Sequence, residues 1–184
     1  MKKEQNKQIE YNENGIEIIR MGISDFDRLK DFIIEQYNTL ECKDFFIIED
    51  IDTELPIILK NGIVISIVKN NQILGLQAID LNKKNSSNLK EILNSTGDSN
   101  LECYELGWTL IHNEYREKGF ATKLLKQICS YLNFVSEFIL IATVHPLNNA
   151  AFKLYSNFGF RAMFQTKYYG YDRIFMVKEI HKEK

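Results

Sequence analysis

Arg116-Glu117-Lys118-Gly119-Phe120-Ala121 is the stretch whose reading decides the fold. It fits the pattern Arg-x-x-Gly-x-Gly/Ala and lies between a strand-like run, Leu101 to Ile111, and an amphipathic run from about Gly119 to Asn133. A helix start exposes unpaired backbone N–H groups and the positive end of the helix dipole. Gly119 lets a ligand approach the main chain, and Ala121 keeps the next turn uncrowded. Such N–H groups suit a pyrophosphate. A plain strand–turn–helix connection would use the same residues, so the hexapeptide alone leaves both readings open.

Downstream, Phe120, Leu124, Leu125, Ile128 and Leu132 line one helix face. Phe138 to Val144 is a continuous apolar run, the mark of a strand covered on both sides. A shorter helix is expected from about Asn149 to Phe158, stopping at Gly159, with Asn148 at its entrance and Tyr155 two turns on. An Asn cap and a core Tyr are the structural reading of that pair; the functional one has Asn148 bonding an extended ligand and Tyr155 supplying a proton. Two final strands, Phe160 to Tyr168 and Arg173 to Ile180, flank Tyr169-Gly170-Tyr171-Asp172. Upstream, Ile16 to Met21 reads as a first strand, Ser24 opens a helix ending near Leu40, and Ile63 to Val68 with Ile73 to Leu81 form a hairpin. Gly107 suggests a bulge or a close backbone approach. Lys43 to Lys60 reads as a helix or an irregular lid, and Asn82 to Asn100 as a loop holding one short helix. Residues 1–14 are expected to be a flexible tail and 15–184 a single domain; Pro56 and Pro146 are each expected at an element boundary.

In this fixed order the elements and motifs resemble the GNAT superfamily of acetyl-CoA-dependent N-acyltransferases. His112 to Ala121 looks like its acetyl-CoA signature and Asn148 to Phe160 like its second signature, with Asn113 where many relatives carry Pro and Ala121 in place of a second Gly. The resemblance is motif-dense from about Glu102 to Ile180. It implies an α/β (α+β) fold: a twisted mixed sheet of about seven strands flanked by helices and splayed between strands four and five, with acetyl-CoA in the cleft. Leu110, Ile111, His112, Arg116, Glu117, Lys118, Gly119, Phe120, Ala121, Thr122, Asn148 and Tyr155 are the contacts it implies.

Acyl transfer from a thioester to a primary amine needs a base, because an ammonium is no nucleophile. Glu105, where relatives often carry a catalytic Glu, is the first candidate; His112 and His145 are the alternatives. A free strand N–H near Thr109 or Leu110 would stabilise the oxyanion. Protonation of the departing thiolate is the role the resemblance assigns to Tyr155. Glu49, Asp50, Asp52 and Glu54 would attract a cationic amine or form a solvated loop, and Tyr168, Tyr169 and Tyr171 would wall a pocket or cover the sheet.

The 184 residues suit one domain, and 45% hydrophobic with 26% charged residues excludes a disordered chain. Net charge −2 gives no basis for nucleic-acid binding, and no apolar run approaches bilayer length. With no apolar signal region, the expectation is a cytoplasmic protein. Cys42, Cys103 and Cys129 lack zinc-site spacing and read as reduced thiols; no metal is required. There is no Gly-Lys-Ser/Thr and no early Gly-x-Gly-x-x-Gly, which excludes the common nucleotide folds. Two functions stay open: an N-acetyltransferase acting by direct attack in a ternary complex on a small molecule, amino acid or peptide, and a catalytically silent acyl-CoA-binding sensor or scaffold. The terminal hairpin offers an edge for a homodimer.

Overall fold

The computed structural model describes residues 9–13, 15–81, 91–93, 101–132 and 137–181. Eight strands form one sheet: β1 (Ile9–Glu13), β2 (Ile16–Met21), β3 (Gly62–Lys69), β4 (Gln72–Asp80), β5 (Glu102–Ile111), β6 (Glu137–Val144), β7 (Arg161–Tyr168) and β8 (Tyr171–His181). Their order is β1-β2-β3-β4-β5-β6-β8-β7, antiparallel throughout except for the parallel pair β5–β6. Among the described residues four helices of nine residues or more cover it: α1 (Phe26–Asn38), α2 (Ile51–Asn61), α3 (Phe120–Tyr131) and α4 (Asn149–Asn157).

Ile9–Glu13 adds an eighth strand inside the stretch expected to be a flexible tail. Its Ile-Glu-Tyr-Asn-Glu alternation and the following Asn14-Gly15 pair are a hairpin signal. Lys43 to Lys60 resolves into a 3₁₀ turn, Lys43–Phe45, and α2. Asp50 caps α2 by accepting from the Asp52 N–H at 3.1 Å and the Thr53 hydroxyl at 2.5 Å, while one Glu54 carboxyl oxygen accepts from the N–H groups of Glu49 and Asp50. Pro56 lies inside this helix and not at a boundary, tolerated in a segment pinned by its cap and by fully buried Leu55. Pro146 does mark the β6–α4 boundary. Most of the expected loop from 82 to 100 lies outside the described residues.

The sheet is buried on both faces, and strand parity explains the composition. Ile63, Ile65 and Ile67 pack with α3, whereas Val64 and Val68 pack with α1 and α2, so β3 reads as an unbroken apolar run. On α1, Leu29, Phe32, Ile33 and Gln36 are buried at positions i, i+3, i+4 and i+7, one stripe against the sheet. β3–β4 closes through Asn70-Asn71 and β7–β8 through Tyr169-Gly170, two-residue turns with positive φ at both positions.

One irregularity positions the site. Opposite the single residue Ala78, strand β5 inserts both Gly107 and Trp108, a β-bulge. The extra residue reverses the side-chain alternation. Tyr104 and Leu106 face α3 and α4, but beyond the bulge Trp108 and Leu110 face α1 and α2. β5–β6 pairing ends at Leu106↔Ala142, while β5 continues to Ile111 and β6 to Val144. The sheet therefore splays between β5 and β6, the fourth and fifth strands once β1 is set apart.

Candidate active site

Two structures meet at the splay: a main-chain cradle and a side-chain cavity. The cradle is the turn from His112 to Gly119. Its entrance is tied to the end of α1: the Asn113 N–H donates to Gln36 Oε1 at 2.9 Å, and Arg116 Nη2 donates to Thr39 Oγ1 at 3.0 Å. Glu117 and Gly119 both adopt positive φ, 62° and 77°. Gly119 caps α3, and a Cβ built there would meet no protein atom within 4 Å. Glu117 is a non-glycine residue held in a conformation that L side chains rarely adopt, a strain concentrated at functional turns. The first-turn N–H groups of α3 have no intrahelical acceptor and no acidic side chain beside them. This concave row of donors fits a pyrophosphate.

Of the expected cofactor contacts, Glu117, Lys118 and Gly119 are exposed, and Ala121 and Thr122 half-buried. Lys118 lies over the Tyr115 ring, 4.8 Å from its centre. Phe120 is buried beneath α3, and Leu110 on the α1–α2 face, so these two can offer a ligand main chain only. Ile111 is half-buried against the α3 cluster. The Arg116 side chain bends back, Nε donating to the Ile111 carbonyl at 3.3 Å. His112 is buried, its Nδ1 accepting from the Glu114 N–H at 3.3 Å. That is a capping role, and His112 does not line the cavity.

The cavity, about 400 Å³, runs through the splay. Glu105, Tyr155, Thr109, Asn148, Tyr168 and Arg173 are among its lining residues. Glu105 sits one residue before the last β5–β6 pair, at the mouth of the opening. Its Oε1 accepts from the Thr143 hydroxyl at 3.2 Å and its Oε2 from the Tyr168 hydroxyl at 3.0 Å. Burial pushes the carboxyl up to about 7; those two hydrogen bonds pull it down and the neighbouring Asp80 charge pushes it up. A carboxylate near neutrality is suited to taking a proton at physiological pH.

Tyr155 is 5% exposed. Its hydroxyl lies 3.0 Å from Thr109 Oγ1, which donates its own proton to Gln77 Oε1 at 2.7 Å. Gln77 Nε2 in turn donates to the Ala78 carbonyl at 3.1 Å. With the Thr109 proton committed, Tyr155 is the donor to Thr109. Burial raises the phenol above its usual value, keeping it a proton carrier. The bulge makes this chain possible, because it turns Thr109 to the α3–α4 face where Tyr155 packs. Glu105 shares the parity of Cys103, which packs with Phe175 and Val177 on the other face. The acid-type and base-type groups thus reach one cavity from opposite faces of the sheet.

Asn148 lines the cavity, and its Oδ1 accepts from the Ala151 N–H at 3.0 Å, so it is also the cap of α4. His145 accepts from the Leu147 N–H and packs on Phe45, outside the cavity lining. In the acidic set, Asp50 and Glu54 serve the start of α2 and Asp52 pairs with Lys30 at 2.5 Å, although Glu49 and Glu54 border the cavity. Tyr168 and Tyr169 wall the cavity; Tyr171 instead stacks on Arg173, 5.4 Å from ring centre to guanidinium.

Gln36, Gln77, Thr143 and Arg173 were not among the candidates, and Thr109 entered only through its main-chain N–H, not its hydroxyl. Two of them carry a visible signal: Gln36 falls on the apolar stripe of α1, and Arg173 is in phase with Phe175 and Val177. Cys42, Cys103 and Cys129 form no disulfide among the described residues, and no helix among them is long and apolar enough to cross a membrane.

A family model described as FR47-like protein matches residues 99–169. No curated protein matches the chain in sequence. Among solved structures, the Escherichia coli ribosomal-protein-S18-alanine N-acetyltransferase superposes with a TM-score of 0.65 at 15% identity, covering 92% of this chain and 96% of that one. An acetyltransferase of the GNAT family from Streptococcus pneumoniae gives 0.63 at 22% identity, covering 90% and 99%. Arabidopsis thaliana NAA60 in complex with a bisubstrate analogue gives 0.68 at 16% identity, covering 90% and 99%. Over about nine-tenths of its length the chain shares the fold of these three acetyltransferases, and the FR47-like segment within it runs from the start of β5 to the end of β7.

Proposed function

We propose that the chain is an N-acetyltransferase that moves an acetyl group from acetyl-CoA to a primary amine by direct attack in a ternary complex. One observation carries the reading: a carboxyl near neutrality and a buried phenol, Glu105 and Tyr155, share one cavity from opposite faces of a splayed sheet. A module that only binds CoA has no use for that pair. NAA60 has been solved in complex with acetyl-CoA, with a TM-score of 0.64 to this chain, which supports the same ligand here.

Acetyl-CoA, when bound, supplies an activated thioester. The N–H groups of residues 119–122 and the Glu117–Gly119 turn hold its pyrophosphate. Alternate N–H groups of β5 beyond Leu106 point away from β4 into the splay, where they can pair an extended arm and the carbonyl oxygen on which charge develops. Thr109 and Leu110 belong to that segment. Asn148 offers its amide N–H to the same arm while its oxygen caps α4. Glu105 takes the ammonium proton, directly or through one water, and the Tyr155 hydroxyl turns from Thr109 to give its proton to the leaving sulfur. The test is release of CoA from acetyl-CoA with a panel of primary amines. Turnover that falls in both Glu105→Gln and Tyr155→Phe is expected; tight CoA binding with no turnover on any amine would make the chain a silent acyl-CoA-binding module.

A further inference from the structure

The cavity lining contains one cationic side chain, and the reaction outlined above does not use it. Arg173 is 2% exposed and lines the cavity wall, on the same face of β8 as Phe175. Its Nη1 donates to the Asp172 carbonyl at 2.8 Å and its Nη2 to the Asp44 carbonyl at 2.7 Å. Among the described residues no carboxylate lies within ion-pair distance of it, whereas the exposed Arg161 pairs with Glu179 at 3.0 Å. A guanidinium carries five N–H donors, so donors are left over. Burial works against its charge, and the nearby Asp44, Tyr171 and Asp172 offset this only in part. A buried cation without an anion is costly in a fold that could have used an apolar residue there. Glu105 lines the same cavity and is likewise held by neutral hydroxyls, not by Arg173. The cavity lining thus holds one cation without an ion-pair partner, the Glu105 carboxyl and the side chains of Glu49, Glu54 and Asp80, together with the aromatic rings of Phe45, Phe46, Trp108 and Tyr169.

We propose that Arg173 receives a carboxylate of the acceptor, so that the acceptor is a zwitterion: an amino acid or short peptide whose free amine meets Glu105 while its carboxylate meets the guanidinium. This rests on the acetyl-transfer reading and narrows it. A guanidinium fork suits a carboxylate in two-point geometry, and the aromatic walls suit an apolar side chain between the two charged ends.

The experiment compares the common amino acids and a set of dipeptides with their C-terminal amides, using the full-length protein and saturating acetyl-CoA. The acids should exceed their amides by about 10- to 100-fold in kcat/KM, the range of a charged hydrogen-bonded pair. Arg173→Gln should erase that preference by lowering the acids alone, and Arg173→Lys should keep part of it. Equal turnover of acids and amides by the unmodified chain overturns the proposal. So does an Arg173→Gln variant that slows both series alike, since Arg173 would then only anchor the Lys43–Phe45 turn through the Asp44 carbonyl. Calorimetry with N-acetyl amino acids against their amides reads the same site without turnover, and it decides the matter on the unmodified chain if Arg173→Gln does not fold. Selective binding of N-acetyl acids with no acetylation of either series would keep the carboxylate site and reject the transferase reading.

Discussion

The two halves of the site are built from different materials. The cradle is main chain: a run of some ten consecutive residues whose φ angles, free N–H groups and missing Cβ make an anion site. The acceptor cavity is side chain: Phe45, Glu105, Tyr168 and Arg173 come from four separate elements and meet only because the sheet and the 3₁₀ turn bring them together. A main-chain site depends on local backbone shape, so a single disallowed Cβ can ruin it. A side-chain site depends on placement, so its losses are graded and its pH dependence is informative.

The largest effect is therefore expected at Gly119. Gly119→Glu forces an L side chain into φ 77° and adds a carboxylate at the helix start that the pyrophosphate needs. Calorimetry should find acetyl-CoA affinity reduced more than about 100-fold, with Gly119→Ala in between because it adds strain and no charge. Unchanged affinity in the Glu variant would end the distinction between the two halves.

Next comes Tyr155→Phe, which removes one oxygen from the buried chain Tyr155–Thr109–Gln77. Thr109 keeps its bond to Gln77, so stability should fall by no more than about 1 kcal/mol. Acetyl-CoA affinity should hold while kcat drops by about 10- to 1000-fold. A fall in affinity with kcat intact would return Tyr155 to the packing role that its contact with Phe160 also supports.

Glu105→Gln sharpens the comparison on the acceptor side. The folded-state value near 7 stands above the usual carboxylate value of 4.5. The folded chain thus holds this proton more tightly than the unfolded one. The contribution to stability is complete below about 4.5 and is lost as pH rises to about 7. Holding the charge at pH 8 costs on the order of 3 kcal/mol, at about 1.4 kcal/mol per pH unit. Melting curves should then show the Gln variant gaining on the unmodified chain between pH 5 and pH 8. The acidic limb of kcat/KM, with its midpoint near 7, should vanish with it. A retained limb would pass the proton to the substrate or to a water chain.

The same contrast explains what could be read from the sequence. The hexapeptide at Arg116, the helix behind it and the buried strand β6 are local patterns, and each lies where the periodicity put it. Gly107 signalled the bulge, but not its consequence: the reversal of parity that separates Glu105 from Thr109 onto opposite faces arises from register with Ala78 on β4. Lys43 to Lys60 was undecidable because the acids that looked like an attractive loop serve largely as caps, visible only once Asp50 and Glu54 meet the N–H groups of α2. Arg173 was in phase with core residues, yet its lack of a carboxylate partner is a three-dimensional fact.

The smallest effect lies where the two halves share a residue. Asn148 caps α4 with its oxygen and borders the cavity, so its two duties rest on different atoms of one amide. Asn148→Ala loses both and should cost about 1 kcal/mol of stability. Asn148→Asp keeps an acceptor for the Ala151 N–H and puts a negative charge at the helix start, so stability should hold or rise by a few tenths of a kcal/mol. The amide donor is gone in both variants. If it orders the pantetheine arm, KM for acetyl-CoA should rise by about 5- to 10-fold in both, despite their opposite stabilities, the range of one hydrogen bond. If the residue is a cap alone, Asn148→Asp will keep the parent kinetics, and only the unstable Ala variant will lose activity on warming. Parallel melting and initial-rate measurements on the two variants separate these outcomes.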